Sequence, residues 1–156
     1  PAIGDPAGDL IWTVYWSDGD RLEYLWDYGH VGAPREVYNA LYVYSATARE
    51  LTIAMGPDDG VRVWFNHEEV LDVSSCQGTN VDQFTAEVSV LEGWNTLLVK
   101  VRDQGGGWGN YARFLDGGTP VTDLEISLSP DGVWLSDQVD SDGDGEGDVC
   151  DSTPMG

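Results

Sequence analysis

Between positions 140 and 151 the chain reads DSDGDGEGDVCD, an alternation of carboxylates and glycines with almost no apolar residue. Calcium takes six to eight oxygen ligands in a flexible loop, supplied at positions 1, 3, 5, 7, 9 and 12 of the EF-hand spacing with glycine at position 6. Here those positions are Asp140, Asp142, Asp144, Glu146, Asp148 and Asp151, and Gly145 stands sixth. Position 7 offers its carbonyl, so the side chain of Glu146 is not constrained there. No helical pattern flanks the loop, so it is not the sensor type that opens a groove. Rigidity or spacing is its expected task, with the dissociation constant of order 10⁻⁴ to 10⁻³ M usual for extracellular calcium modules.

A second set of candidate ligands is Asp58 and Asp59, in the run GPDDG. Taken alone, Pro57, Asp58, Asp59 and Gly60 suit a type I turn that starts at Gly56, with Pro57 at its second position, and need no ion. Adjacent strand residues point to opposite faces, so both carboxylates can reach one ion only where the backbone bends sharply. The stretch QGGGWGN at 104–110 is too glycine-rich for a strand interior and is read as a surface loop presenting Trp108, with Asn110 beside it.

Composition narrows the partners. The chain of 156 residues carries 28 acidic against 7 basic residues, a formal net charge of −21. Such a surface repels phosphate, which excludes nucleic acid and anionic membranes and leaves divalent cations and neutral ligands. No apolar run reaches 18 residues, so nothing is expected to span a bilayer. With no charged-then-apolar leader at its start, the chain reads as a piece of a longer secreted protein. Two cysteines, Cys76 and Cys150, are too few for a disulfide scaffold and lack zinc-site spacing; they suit one bridge in an oxidising compartment. The alternative is that Cys150 pairs with a neighbouring repeat outside this sequence. His30 and His67 are the only side chains that titrate near neutrality unperturbed, and neither has a nucleophile nearby in the sequence. Nor does anything mark a pair of carboxylates set across a cleft, as a glycosidase needs. The protein is therefore expected not to be an enzyme.

Short alternating runs broken by Gly, Asp, Asn and Pro recur along the chain, which is the pattern of an all-β fold, here an antiparallel, jelly-roll-like sandwich. Period-2 alternation predicts strands over Leu41–Tyr44, Leu51–Met55, Val61–Phe65, Phe84–Val90, Thr96–Val101, Tyr111–Leu115 and Leu124–Leu128. Within Phe84–Val90, the residues Phe84, Ala86, Val88 and Val90 share the face expected to be buried. LEGWNT at 91–96 reads as a turn between two antiparallel strands, with Gly93 free to take a positive φ and Asn95 to bond locally. Apolar residues nearly vanish after Leu135, so the expected division is a sandwich over 1–135 and a calcium-binding tail over 136–156. Nine of the seventeen aromatics fall within the first 44 residues. They serve either as core and edge packing or as an exposed platform that stacks on sugar rings.

Two resemblances add to this. The tail closely resembles a thrombospondin type 3 repeat, of the form DxDGDGxGDxCD, with Cys150 at the repeat's cysteine. The resemblance makes Asp140, Asp142, Asp144, Asp148 and Asp151 side-chain ligands and Glu146 a carbonyl ligand. Only one repeat is present, whereas the family strings several together. The runs GPDDGVRVWFNHEEV at 56–70 and VSVLEGWNTLLVKVRDQGGGWGNYARF at 88–114 resemble the carbohydrate-binding sandwich first known from the anthrax protective antigen. In its sugar-binding members two consecutive aspartates joined by a cis peptide hold a calcium ion that sugar hydroxyls also coordinate. Asp58 and Asp59 match that pair, and Asn110 matches a further ligand from a later loop. The resemblance implies a non-catalytic module that binds a polysaccharide or other glycan, tethered to other domains of its chain. The alternative is a structural spacer or protein-interaction domain stiffened by calcium.

The tail carboxylates repel one another unless a cation lies among them. Asp142→Ala or Asp144→Ala is expected to weaken calcium uptake at least about tenfold, measured by calorimetry on the whole chain, since each removes one of only a few charged ligands. No uptake attributable to 140–151 at millimolar calcium would refute the assignment.

Overall fold

A computed structural model describes residues 4–8, 10–15, 20–25 and 34–129. The acidic loop at 140–151 and Cys150 lie outside the described residues. Among the described residues there are twelve strands: β1 (Pro6–Ala7), β2 (Leu10–Ile11), β3 (Leu22–Glu23), β4 (Arg35–Ser45), β5 (Arg49–Asp58), β6 (Gly60–Phe65), β7 (Glu68–Val73), β8 (Phe84–Val90), β9 (Gly93–Asp103), β10 (Gly109–Asp116), β11 (Thr119–Pro120) and β12 (Glu125–Ser127). All pairings are antiparallel. One five-stranded sheet runs β12-β4-β9-β6-β7; the other runs β11-β10-β5-β8, with β3 added against the start of β10. The small β1–β2 pair stands apart.

The core is made where the alternating faces of the two sheets meet. Val43, Val61, Val63, Phe65, Leu97, Val99 and Val101 come from one sheet, and Leu51, Ile53, Met55, Val88, Val90 and Phe114 from the other. Mostly β-branched or aromatic, they fit a pleated, half-buried surface. The Phe65 and Phe114 rings, one from each sheet, meet edge-on at 5.9 Å. In β8 the burial follows the expected alternation: Val88 and Val90 are buried, and Thr85, Glu87 and Ser89 are exposed. Every predicted strand is present, several of them longer. β7 went unpredicted because its EEVLDV mixes charge with a short apolar run.

The turn at 91–96 corrects one expectation. Gly93 does take φ +93°, and Asn95, fully buried, accepts from Leu91 N at 2.9 Å and donates to Leu91 O at 2.9 Å and Gly93 O at 3.0 Å. Yet β8 and β9 are not partners; they belong to opposite sheets. The turn carries the chain from one layer to the other: β9 is already paired on both sides, with β4 and β6, so β8 cannot add to it and instead pairs with β5 in the opposite sheet. The same layer change occurs between β5 and β6 and between β9 and β10.

Leu51 on β5 is 2% exposed and stands opposite Val88. Leu51→Ala should cost about 2–5 kcal/mol in denaturant unfolding. Ser89→Ala, on the outward face of the neighbouring register, should stay within about 0.5 kcal/mol. Equal costs would mean the two faces had been assigned wrongly.

Candidate cation-binding corner

Two of the layer changes meet at one end of the sandwich. Asp58 closes β5, and Gly60 opens β6 in the other sheet; the Asp58–Asp59 peptide between them is cis. Its neighbours hold the corner closely. Asp59 N donates to Arg102 O at 2.8 Å, and a Cβ on Gly60 would lie 2.7 Å from Val73 O. A bare glycine is needed where backbone approaches this near.

The second crossing, 104–108, folds over the first. Gln104 N donates to Asp59 Oδ2 at 2.5 Å, and Gln77 N, from the β7–β8 connection, donates to Asp59 Oδ1 at 3.1 Å. A Cβ on Gly107 would collide with Asp58 Oδ2. Asp58 Oδ2 also faces Arg21 Nη2 at 3.6 Å. Asp58 and Asp59 are 9% and 2% exposed, and Asp103, at the end of β9, is fully buried. Asp103 is held by Arg35, whose Nη2 and Nε donate to Oδ2 at 2.6 and 3.1 Å, and by Gly105 N at 2.6 Å to Oδ1.

Asn110 also stands at this end of the sandwich. It is 1% exposed, opposite Pro57 on β5 and Leu22 on β3. Its Oδ1 is buried with no hydrogen-bond partner. A buried amide oxygen left unbonded is costly, and a cation is one partner that would satisfy it. Among the described residues no three His, Cys, Asp or Glu side chains form a metal-binding group by themselves. An ion held by Asp58, Asp59 and Asn110 would therefore need carbonyl, water or ligand oxygens to reach six. Oxygen donors of this kind fit calcium, a hard cation, rather than a thiophilic metal.

Trp108 corrects the sequence reading. It is 3% exposed, not presented to solvent. Its ring lies 5.5 Å from that of Tyr24, with the Arg35 guanidinium 4.7 Å from its centroid on the cation–π side, and its carbonyl accepts from Tyr24 N at 3.0 Å. The glycines around it supply turning and close approach: Gly105 and Gly106 have φ of +128° and +98°, and a Cβ at Gly109 would meet Leu22 O at 2.6 Å. They let the indole swing inward as a plug beneath the corner. Sequence reasoning missed Asp103, Arg35, Arg21 and Gln77, which come from distant segments. Asp103, an acid directly ahead of the glycine run, carried the one local hint.

Cys76 is exposed and has no disulfide partner among the described residues. Hydrogen bonding to Asp59 and the charge of that carboxylate push its pKa up. Its expected partner Cys150 lies outside the described residues.

Burial, followed by the charge of Asp59, pushes the Asp58 pKa up, with Arg21 opposing. A carboxyl whose folded pKa is raised binds its proton more tightly folded than unfolded, so its ionisation costs stability as pH rises from the ordinary carboxylate range through the raised value. In chelator, Asp58→Asn should thus raise the melting temperature by a few degrees at pH 7, and the gain should shrink toward nothing near pH 3. A gain independent of pH would point to packing instead of charge.

No protein-family profile and no curated protein matches the sequence. Among solved structures, the PA14 domain of the antifreeze protein MpAFP has a TM-score of 0.50 and 23% identity, over 59% of this chain and 51% of that one. The matched region spans about half of that neighbour's length. What the likeness establishes is the fold: an all-β, antiparallel sandwich with a PA14 domain as structural neighbour.

Proposed function

We propose that this is a non-catalytic, calcium-dependent carbohydrate-binding module of a larger secreted protein, with its site at the Asp58–Asp59 corner. The observation that carries this reading is the meeting of two nearly buried, adjacent carboxylates with the unbonded Oδ1 of Asn110. Two carboxylates pressed together out of water repel each other and lose hydration. A divalent cation reverses both penalties, and neutral glycan hydroxyls are suited to its remaining positions. The net charge of −21 also favours a cation and a neutral ligand over an anionic one. When bound, the ion would supply coordination for hydroxyl oxygens; the protein's own part is to fix Asp59 through Gln77 N and Gln104 N and to keep Asp58 beneath Gly107.

The calcium loop at 140–151 is proposed as a structural element of the same chain. A Cys76–Cys150 bridge would bring the tail beside Asp59. The burial of Trp108 favours a second reading, in which the corner is a structural element of a spacer domain, because this indole is not available to cover a sugar ring.

Asp59→Ala should abolish both the ion at this corner and calcium-dependent retention in affinity electrophoresis across a polysaccharide panel. Trp108→Ala should lower thermal stability first, by about 3–5 kcal/mol for a buried aromatic. Equal retention by wild type and Asp59→Ala, with or without chelator, would leave the spacer reading standing.

A further inference from the structure

The aromatic residues of the first third are not all absorbed by the core. In β4 the odd residues Val37, Leu41 and Val43 face the other sheet, and the even ones face outward. Two rows of outward residues lie side by side across the sheet. Ala40 stands opposite Leu98, which stands opposite Trp64; Tyr42 stands opposite Thr96. Directly opposed side chains in a sheet lie about 4.5–5.5 Å apart at Cβ, so the short Ala40 and Thr96 leave a dip between larger neighbours. Trp12, Tyr42, Trp64 and His67 stand around the dip, which forms a half-open cleft of about 370 Å³.

The walls are anchored. Trp12 N donates to Asp5 O at 2.9 Å and Trp12 O accepts from Gly4 N at 2.8 Å, which ties the wall to the β1–β2 pair. Asn66 and His67 both have positive φ at the tip of the β6–β7 hairpin. That tip is bound to β9: Asn66 N donates to Thr96 O at 2.9 Å, Thr96 N donates to Asn66 Oδ1 at 2.9 Å, and Asn66 Nδ2 donates to Asn95 Oδ1 at 2.8 Å. His67 is thereby held next to Thr96 at the mouth.

We infer that this cleft is a second binding site, independent of calcium, for a neutral pyranose ring. Among the described residues, none that lines it is a carboxylate, lysine or arginine, in a chain of net charge −21. The neighbouring cation, the Arg62 guanidinium 5.9 Å from the Trp64 ring centroid, is already paired with Asp72 and Glu69. Indole and phenol faces suit the C–H faces of a sugar ring, while Thr96 and His67 bring hydrogen-bonding groups for its hydroxyls. The volume lies at the small end of the roughly 300–1,000 Å³ usual for ligand pockets, which admits one or two rings and not a folded partner. Trp64 is four residues along β6 from Gly60, roughly 13 Å at about 3.3 Å per residue, so the cleft does not share ligands with the Asp58–Asp59 corner.

The test is calorimetric titration in chelator with cellohexaose, maltohexaose, mannohexaose and xylohexaose, each taken to millimolar concentration. Wild type and Asp59→Ala should bind at least one of them equally. Trp64→Ala and Trp12→Ala should weaken that binding at least tenfold. Ala40→Leu, which fills the dip and keeps every aromatic ring, should do the same while circular dichroism and melting temperature show a folded chain. Absence of binding by wild type to all four probes would overturn the inference. So would binding that Asp59→Ala removes, or that Trp64→Ala and Ala40→Leu both leave unchanged. Because the corner is disabled in every arm, failure here leaves the calcium-dependent reading untouched, and failure there leaves this one untouched.

Discussion

Three carboxylates, Asp58, Asp59 and Asp103, are taken out of water together at one end of the sandwich, and the local structure is organised around satisfying them. Burying an ionised group is expensive unless it is paired and hydrogen-bonded. Asp103 has Arg35 and a backbone N–H; Asp59 has two backbone N–H donors from separate connections. Asp58 has the weaker partner, Arg21 at 3.6 Å. This unevenness leaves a region of net negative charge at the corner, next to an amide oxygen without a bond.

The sandwich makes such a corner by the way its chain changes layers. Crossings from one sheet to the other bring chain ends together that a single sheet would keep apart. The β5–β6 crossing contributes the acids and the β9–β10 crossing covers them, while β3 closes on the start of β10. Trp108 lies under this junction between Tyr24 and Arg35. One guanidinium thus neutralises Asp103 and stacks on the indole at once, coupling the electrostatics of the corner to its packing. Arginine's planar, delocalised charge allows both contacts together, which lysine could not reproduce.

The outer face of the β12-β4-β9-β6-β7 sheet is organised by different forces. There the aromatic and aliphatic side chains are stabilised by cross-strand neighbours and by cations laid over rings, Arg62 over Trp64 and Lys100 over Tyr38. Arg62 is itself paired with Asp72 and Glu69, and Lys100 with Glu36. Arg62 and Lys100 are therefore engaged locally, and among the described residues none that lines the cleft between Trp12 and Trp64 is a carboxylate, lysine or arginine. An aromatic outer face and a buried acidic corner coexist on one small module because the sheet's twofold alternation separates inward from outward residues and the layer crossings build the corner at the strand ends.

The sequence by itself determined the strands and their faces. Val88 and Val90 had to point inward and Glu87 and Ser89 outward, since the period of two offers no other arrangement once one side is buried. It also marked Asp58, Asp59 and Asn110, and set the turn chemistry of Gly93 and Asn95. What it could not determine was which strands pair and what lies across a crossing, because those depend on contacts between residues far apart in the chain. Hence the β8–β9 turn changes sheets where adjacency suggested a hairpin, and Gln77 and Arg35 join the corner from segments with no local sign of it. Trp108 is the plainest case. Its flanking glycines signal a loop, but whether a loop turns its indole outward or inward is decided by the cavity available beneath it, and here Tyr24 and Arg35 provide one.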